Sequence, residues 1–268
     1  MGFLKFVIGP LVALGLGMST TATAAPVFDS LVVFDDSLSD VGNAGRFSNG
    51  PVWVEQLATR LGIIMRPSQT GGLNFAVGGA RLDPRSGAQN LRAQADMFLK
   101  MAPRTDRTLY VVYGGSNDLL GAVGQPNAPV IVDQAVASLR SIVDDLAKQG
   151  ATDILVPNLP DVGISPEMRA RGARAMVQAR ELTERFNEML SQALTGFAHS
   201  ANLRLHRLDV WAMAERARAD PAAFGFVDVK TPCERRPTCE GYLFWDHVHP
   251  TTRAHARLAE AAYNLLPP

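Results

Sequence analysis

The segment Leu243-Phe244-Trp245-Asp246-His247-Val248-His249-Pro250 puts a carboxylate and an imidazole three residues apart near the end of the chain. An imidazole oriented by a carboxylate can take a proton from a weak nucleophile, so this is one half of a serine-hydrolase arrangement. The other half stands almost the whole chain away, in Leu31-Val32-Val33-Phe34-Asp35-Asp36-Ser37-Leu38-Ser39-Asp40-Val41-Gly42-Asn43, where an apolar run enters a polar turn carrying Ser37. Parallel α/β sheets build their sites at the carboxyl ends of strands, so a hydroxyl there need only meet a loop from elsewhere. The chain order of the three groups is Ser37, Asp246, His249.

Two further segments carry hydrogen-bond donors. Leu73-Asn74-Phe75-Ala76-Val77-Gly78-Gly79-Ala80 ends a short strand in a glycine pair, and Val111-Val112-Tyr113-Gly114-Gly115-Ser116-Asn117-Asp118 ends another in an amide and a carboxylate. Glycine lets backbone approach a ligand and leaves its N–H free for a developing oxyanion, and an Asn amide adds a donor. Either segment alone reads more readily as an ordinary turn.

The elements that must position these residues alternate. Strands are expected at Leu31–Phe34, Leu73–Phe75, Thr108–Tyr113, Asp153–Val156 and Leu203–Arg207, with helical spacing over Val52–Leu61, Leu91–Met101, Val132–Gln149 and a long stretch from Pro166 to Phe197. That order predicts an α/β fold with a parallel sheet covered on both faces. The charged run from Arg169 to Arg185 reads as a solvated helix face. There is no internal repeat or low-complexity linker.

A chain of 268 residues, 47% hydrophobic, supplies one sizeable core, and the expected organisation is a single domain over residues 25–268. Lys plus Arg balances Asp plus Glu at 26 each, which excludes the basic footprint of a nucleic-acid binder. Residues 1–24 read as a secretory signal peptide: Lys5 is the only charge, Phe6 to Leu16 is largely apolar, and Ala22-Thr23-Ala24 offers a cleavage site. Gly9, Pro10, Gly15 and Gly17 interrupt the run and leave it short of the roughly 20 residues of a membrane span, so a retained anchor is the weaker reading. The mature protein is expected to be exported, periplasmic or extracellular. Cys233 and Cys239, six residues apart, fit that address as a disulfide clamping the loop before Asp246; two free thiols are the alternative. Two cysteines do not make a zinc site, although His247 and His249 lie nearby, and no metal is expected.

Together, the four blocks Asp36-Ser37-Leu38-Ser39-Asp40 with Gly42-Asn43, Asn74 to Ala80, Gly115-Ser116-Asn117-Asp118 and Asp246 to Pro250 resemble the GDSL branch of the SGNH esterases and lipases, over residues 31–266. The Tyr242-Leu243-Phe244-Trp245 lead-in and Thr251-Thr252 exit look like its lipase-like secreted members. The resemblance implies a three-layer αβα sandwich with a central parallel sheet, the flavodoxin-like SGNH hydrolase fold. It implies that Ser37 attacks the acyl carbon, His249 relays the proton and Asp246 orients the imidazole. The oxyanion hole would comprise the N–H groups of Ser37 and Gly79 and the Asn117 amide, with Gly78 in reserve. His247 should point elsewhere, and His255 in the final helix should be structural. The expected substrate is a small-molecule or lipid ester, the latter with transient contact at a membrane surface; no cofactor is implied.

One residue departs from the family pattern: Asp35 stands where the motif has glycine. If that glycine has positive φ, Asp would be strained by about 1 kcal/mol, and its charge near Ser37 would oppose an oxyanion unless turned to solvent. The readings are a secreted serine ester hydrolase; a phospholipase A, lysophospholipase or lipid acyltransferase with the same chemistry; a carbohydrate deacetylase; or, because of Asp35, an impaired binding module. Gly121–Val130 and Pro221–Arg236 are the expected rims of an acyl pocket, with Phe224, Phe226 and Val227 either touching a chain or packing the loop.

Overall fold

The structure, a computed structural model, describes residues 1–2, 28–87, 89–101, 106–197 and 202–267. The expected leader, residues 1–24, lies outside the described residues apart from Met1 and Gly2. Strand β1 (Ser30–Phe34) is followed by helices α1 (Trp53–Leu61) and α2 (Leu91–Lys100), then strand β2 (Thr108–Val112). Helices α3 (Ser116–Ala122) and α4 (Ala128–Lys148) lead to β3 (Asp153–Pro157), and α5 (Pro166–Ala170) and α6 (Ala173–Thr195) to β4 (Arg204–Leu208). The chain closes with α7 (Val210–Ala219), a pair of short strands β5 (Asp228–Pro232) and β6 (Tyr242–Phe244), and α8 (Thr252–Leu265).

The four strands β1 to β4 form one parallel sheet in sequence order, with Val33 opposite Val111, Tyr110 opposite Ile154 and Ile154 opposite Leu205. All of β2 and β3 and most of β1 is buried, as unbroken apolar runs covered on both faces require. Helix α1 packs against α8, while α2, α3 and α6 gather around α4, so two helix groups sandwich the sheet. Phe34, Phe75, Phe98 and Tyr110 fill one end of the core, with ring centroids 5.6–5.8 Å apart.

The expected strand Leu73–Phe75 lies beside β1 but pairs only sparsely. Val33 donates to the Leu73 carbonyl at 3.0 Å and Phe75 to Val33 at 2.8 Å, and Val77 reaches the Asp35 carbonyl at 3.2 Å. The Asn74 side chain is turned to the Ser39 carbonyl instead, at 2.7 Å, so this segment works as a brace for the turn after β1. The long stretch of helical spacing from Pro166 to Phe197 forms two helices, because Gly172 sits at φ +94°, a left-handed value that separates α5 from α6. Helix α7 and the β5–β6 pair were not anticipated.

Local chemistry fixes the helix starts. The Asn90 side chain accepts from the Ala93 N–H at 2.9 Å, Asp209 from Ala212 at 3.0 Å and Thr251 from Ala254 at 3.4 Å. At the exposed edge, the buried Asp153 carboxylate takes both guanidinium donors of Arg204, at 2.7 and 2.6 Å, and an imidazole contact from His206 at 3.0 Å. Charged side chains there discourage edge-to-edge pairing. Among the described residues, no helix is long and apolar enough to cross a membrane.

Candidate active site

The turn after β1 is built by side chains that accept backbone N–H groups. Asp36 Oδ1 accepts from Leu38 at 3.0 Å, and its carbonyl accepts from Ser39 at 3.2 Å, which folds Ser37 outward at the carboxyl end of the strand. The fully buried Asp40 carboxylate gathers four N–H groups: Gly42 at 2.8 Å, Asn43 at 2.7 Å, Ala44 at 3.0 Å and Gly78 at 2.9 Å. Asn43 reaches the carbonyls of Asn74 and Ala76, at 2.8 and 2.9 Å. The first two sequence blocks therefore lock one loop onto the other.

The segment after β6 brings its histidine to this turn. His249 Nδ1 lies 2.6 Å from Asp246 Oδ2, and Nε2 lies 2.9 Å from Ser37 Oγ. An ionised carboxylate only accepts, so the ring proton sits on Nδ1 and Nε2 is left to accept from the serine hydroxyl. Asp246 Oδ1 accepts the N–H groups of Val248 and His249, at 2.8 and 2.7 Å. Burial pushes the Asp246 carboxyl upward, but the imidazole and these two N–H groups outweigh it and hold the pKa below the ordinary value. The loop is anchored on three sides: Ser48 Oγ donates to the Pro250 carbonyl at 3.0 Å, Thr252 N to Asn49 Oδ1 at 2.8 Å, and Glu167 N to the His247 carbonyl at 2.9 Å. Cys233 and Cys239 are joined in a disulfide, and the Cys233 and Glu234 N–H groups bond the Trp245 carbonyl, at 3.0 and 2.8 Å. Closing so short a loop contributes about 2 kcal/mol on chain-entropy grounds.

Of the expected oxyanion donors, the N–H groups of Ser37 and Gly79 meet no acceptor among the described residues. Gly78, held in reserve, is already bound to Asp40. Asn117, at the start of α3, is in place but engaged: its amide donates to Asp36 Oδ2 at 3.1 Å and to the Ala80 carbonyl at 3.0 Å. Donation to an oxyanion requires exchange with one of these. Burial pushes the Asp36 carboxyl up to about 6. Asp118 turns away and accepts from Leu82 and Asp83, at 2.9 and 3.1 Å, tying α3 to the loop beyond Ala80.

Two rings flank the imidazole, Phe47 with its centroid at 5.2 Å and Trp245 at 6.3 Å. Nothing in the sequence distinguished Phe47. Its ring lies on Gly78, where a Cβ would come within 2.3 Å of it. Gly78→Ala should therefore push Phe47 off His249 and lower kcat by roughly 10- to 100-fold, the cost of a small misplacement of a proton-relaying group. Measured in a cycle with Phe47→Ala, the double variant should be no worse than Phe47→Ala alone; additive losses would show that the two residues act separately.

The fold decides both conditions attached to Asp35. Asp35 is not in a left-handed conformation, since the only non-glycine residue of positive φ among those described is Arg107, so no strain arises there. Nor does Asp35 face solvent; it is wholly buried. His247 is exposed, and His255 is buried in α8, where burial, then the charges of His249 and Arg46, lower its pKa to about 3.

Beside Ser37 and His249 opens an apolar cavity of about 190 Å³. Its walls come from the loop after β3 (Pro160, Val162, Ile164), from α7 (Met213, Ala214) and from α8 (Leu258), with Phe224 and Phe226 on the expected second rim. The first expected rim, Gly121–Val130, does not line it; half of that stretch is taken up by the end of α3 and the start of α4. Val227 is 83% exposed and also takes no part. Arg180 secures the wall, pairing with Asp161 at 2.7 Å and Glu215 at 3.2 Å and lying 4.7 Å from the centroid of Trp211.

A parallel α/β sandwich presenting a serine, a histidine and an aspartate in line at its carboxyl edge has the architecture of the SGNH hydrolases. The family model for GDSL-like Lipase/Acylhydrolase matches residues 31–262, and the chain belongs to that family. It is a carboxylic ester hydrolase of the esterase/lipase class. Among its relatives are a phosphatidylcholine-sterol acyltransferase of Aeromonas hydrophila, 28% identical over 90% of this chain and 91% of the relative, and a GDSL esterase/lipase of Arabidopsis thaliana, 23% identical over 93% and 90%. A thermolabile hemolysin of Vibrio parahaemolyticus is 28% identical over 87% of this chain, which spans 62% of that relative. The acetylxylan esterase Axe2 of Geobacillus stearothermophilus shares the fold, with a TM-score of 0.57 and 18% identity over 90% of this chain and 95% of that one.

Proposed function

We propose that the protein is an exported serine esterase that cleaves carboxylic esters of medium-length acyl chains through an acyl-enzyme intermediate, with residues 1–24 as its leader and residues 25–268 as one catalytic domain. Ser37 attacks the acyl carbon as His249 Nε2 takes its proton; Asp246 stabilises the imidazolium; the N–H groups of Ser37 and Gly79 and the Asn117 amide receive the oxyanion. His249 then protonates the leaving alcohol and activates water for deacylation.

The observation that carries the acyl preference is the cavity of about 190 Å³ opening beside Ser37 and walled by aliphatic and aromatic side chains. An apolar cavity of about 150 Å³ houses a benzene ring, so this one has room for a chain of roughly eight carbons. Each methylene taken from water contributes about 0.8 kcal/mol, up to about fourfold in kcat/KM. With p-nitrophenyl esters from acetate to palmitate, kcat/KM should peak near hexanoate or octanoate, and Ala214→Phe should reduce the octanoate value far more than the acetate value. A flat profile, or an equal loss on both esters, would remove the cavity from the reading.

A second reading keeps the same chemistry but gives the acyl group to a lipid alcohol. It is favoured by the similarity to a phosphatidylcholine-sterol acyltransferase along nearly the whole of both chains.

A further inference from the structure

Asp35 has no part in the scheme above, yet it is a carboxyl buried two residues from the nucleophile at the position where the family motif has glycine. Its Oδ2 accepts from the Ser39 hydroxyl, which in turn accepts the Trp53 indole N–H at 2.8 Å. The Gln94 side chain holds the Asp35 backbone from both sides, accepting from its N–H at 3.1 Å and donating to its carbonyl at 2.9 Å. Asp35 Oδ1 is buried with no hydrogen-bond partner. The groups that face it are Trp53 from α1, Gln94 from α2, Tyr113 beyond β2, and Ser39 and Asp36 on its own segment. None of them is a cation, and among the described residues Asp35 has no ion pair. An unpaired charge in such a place is costly, so the carboxyl is kept neutral. Burial and then the neighbouring Asp36 push its pKa well above the ordinary carboxyl value, and the Tyr113 phenol beside it is likewise raised.

We propose that Asp35 is a positioning residue that secures the nucleophile turn through Ser39 and Trp53 while it is uncharged, and whose loss of a proton to solvent sets the alkaline limit of turnover. The charged form adds a negative charge close to Ser37, where the reaction must develop an oxyanion, and leaves a buried carboxylate supported only by the Ser39 hydroxyl and the Asp36 backbone N–H. The glycine of the family motif has no side chain that could do either. This assignment rests on Ser37 being the nucleophile.

The test compares kcat for wild type and Asp35→Asn on p-nitrophenyl octanoate across a pH series carried from neutral into alkaline buffers. The wild-type value should fall on the order of tenfold or more from its plateau, the effect of one added charge near the reacting centre. The variant, which cannot ionise there, should lack that fall. Thermal unfolding supplies a readout independent of turnover. A carboxyl that is protonated when folded and ionised when unfolded makes stability decline as pH rises from about 4 toward its folded pKa. The wild-type Tm should therefore fall relative to that of the variant as pH rises. Identical alkaline falls in kcat, parallel Tm curves, or no alkaline fall in the wild type would each overturn the assignment. Should Asp35→Asn fail to fold, Asp35→Gly carries the same comparison. A folded wild type with no turnover would overturn the Ser37 reading and this one together, whereas an active wild type with an unchanged limit in the variant overturns this one alone.

Discussion

Ser37→Ala is expected to lower kcat on p-nitrophenyl octanoate by on the order of a million-fold, to a residual rate supplied by substrate binding and the oxyanion donors. A serine hydroxyl is a weak nucleophile until a base removes its proton, and Ser37 has that base 2.9 Å away with its ring already oriented by Asp246. His249→Ala should cost about as much, and the double variant little more than either, because the residues act as one unit. The substitution removes one small buried hydroxyl, so Tm should shift by no more than a few degrees and the loss will not reflect unfolding. KM should change little, since the cavity walls are untouched. A loss under about a hundredfold, with the fold intact, would mean that another nucleophile or a water molecule carries the reaction.

The residues proposed to do the chemistry were legible in the sequence because each is tied to local structure that the sequence also encodes. Ser37 ends an apolar strand, and Asp246 and His249 share one loop, so their geometry depends on few intervening choices. Some polar residues of the motif blocks are mutual supports, as Asp40 and Asn43 show by holding the segment Asn74 to Gly78. What was not legible depends on contacts distant in sequence. Phe47 reaches His249 only because the loop around residues 43–50 folds over α8 and the histidine loop, and a lone phenylalanine carries no local signal of that. The cavity wall fell to α7 and the loop after β3 for the same reason: Met213 and Ile164 look like core residues until the ring of loops at the carboxyl edge is closed. Asp35 was noticed as a departure from the family, but its burial depends on Trp53 and Gln94, from two different helices, closing over it.

Asp246→Asn is expected to reduce kcat by on the order of ten-thousand-fold while leaving the backbone fold in place, and the hydrogen bonds explain why so conservative a change costs so much. Asp246 does two jobs with two oxygens: Oδ1 accepts the N–H groups of Val248 and His249, and Oδ2 accepts from His249 Nδ1. An asparagine has one oxygen for both. If that oxygen keeps the two backbone donors, its NH₂ faces Nδ1, which must then give up its proton and accept. The ring proton moves to Nε2, and the nitrogen that should accept from Ser37 becomes a donor. If the amide is flipped, the tautomer is preserved but two backbone N–H groups lose their acceptor and the loop loosens. The first arrangement keeps more hydrogen bonds and should prevail, giving a folded but mistuned enzyme. Stability offers a second check. The carboxyl pKa is depressed in the folded state, so its stabilisation is present above the unfolded value of about 4 and is lost as pH falls through the folded value. The Tm deficit of Asp246→Asn should therefore be present at neutral pH and shrink in acid. Near-wild-type turnover in the variant would show that His249 is oriented by its flanking rings, Phe47 and Trp245, with the carboxylate dispensable. A Tm deficit that persists unchanged into acid would mean that Asp246 contributes through its shape alone and not through its charge.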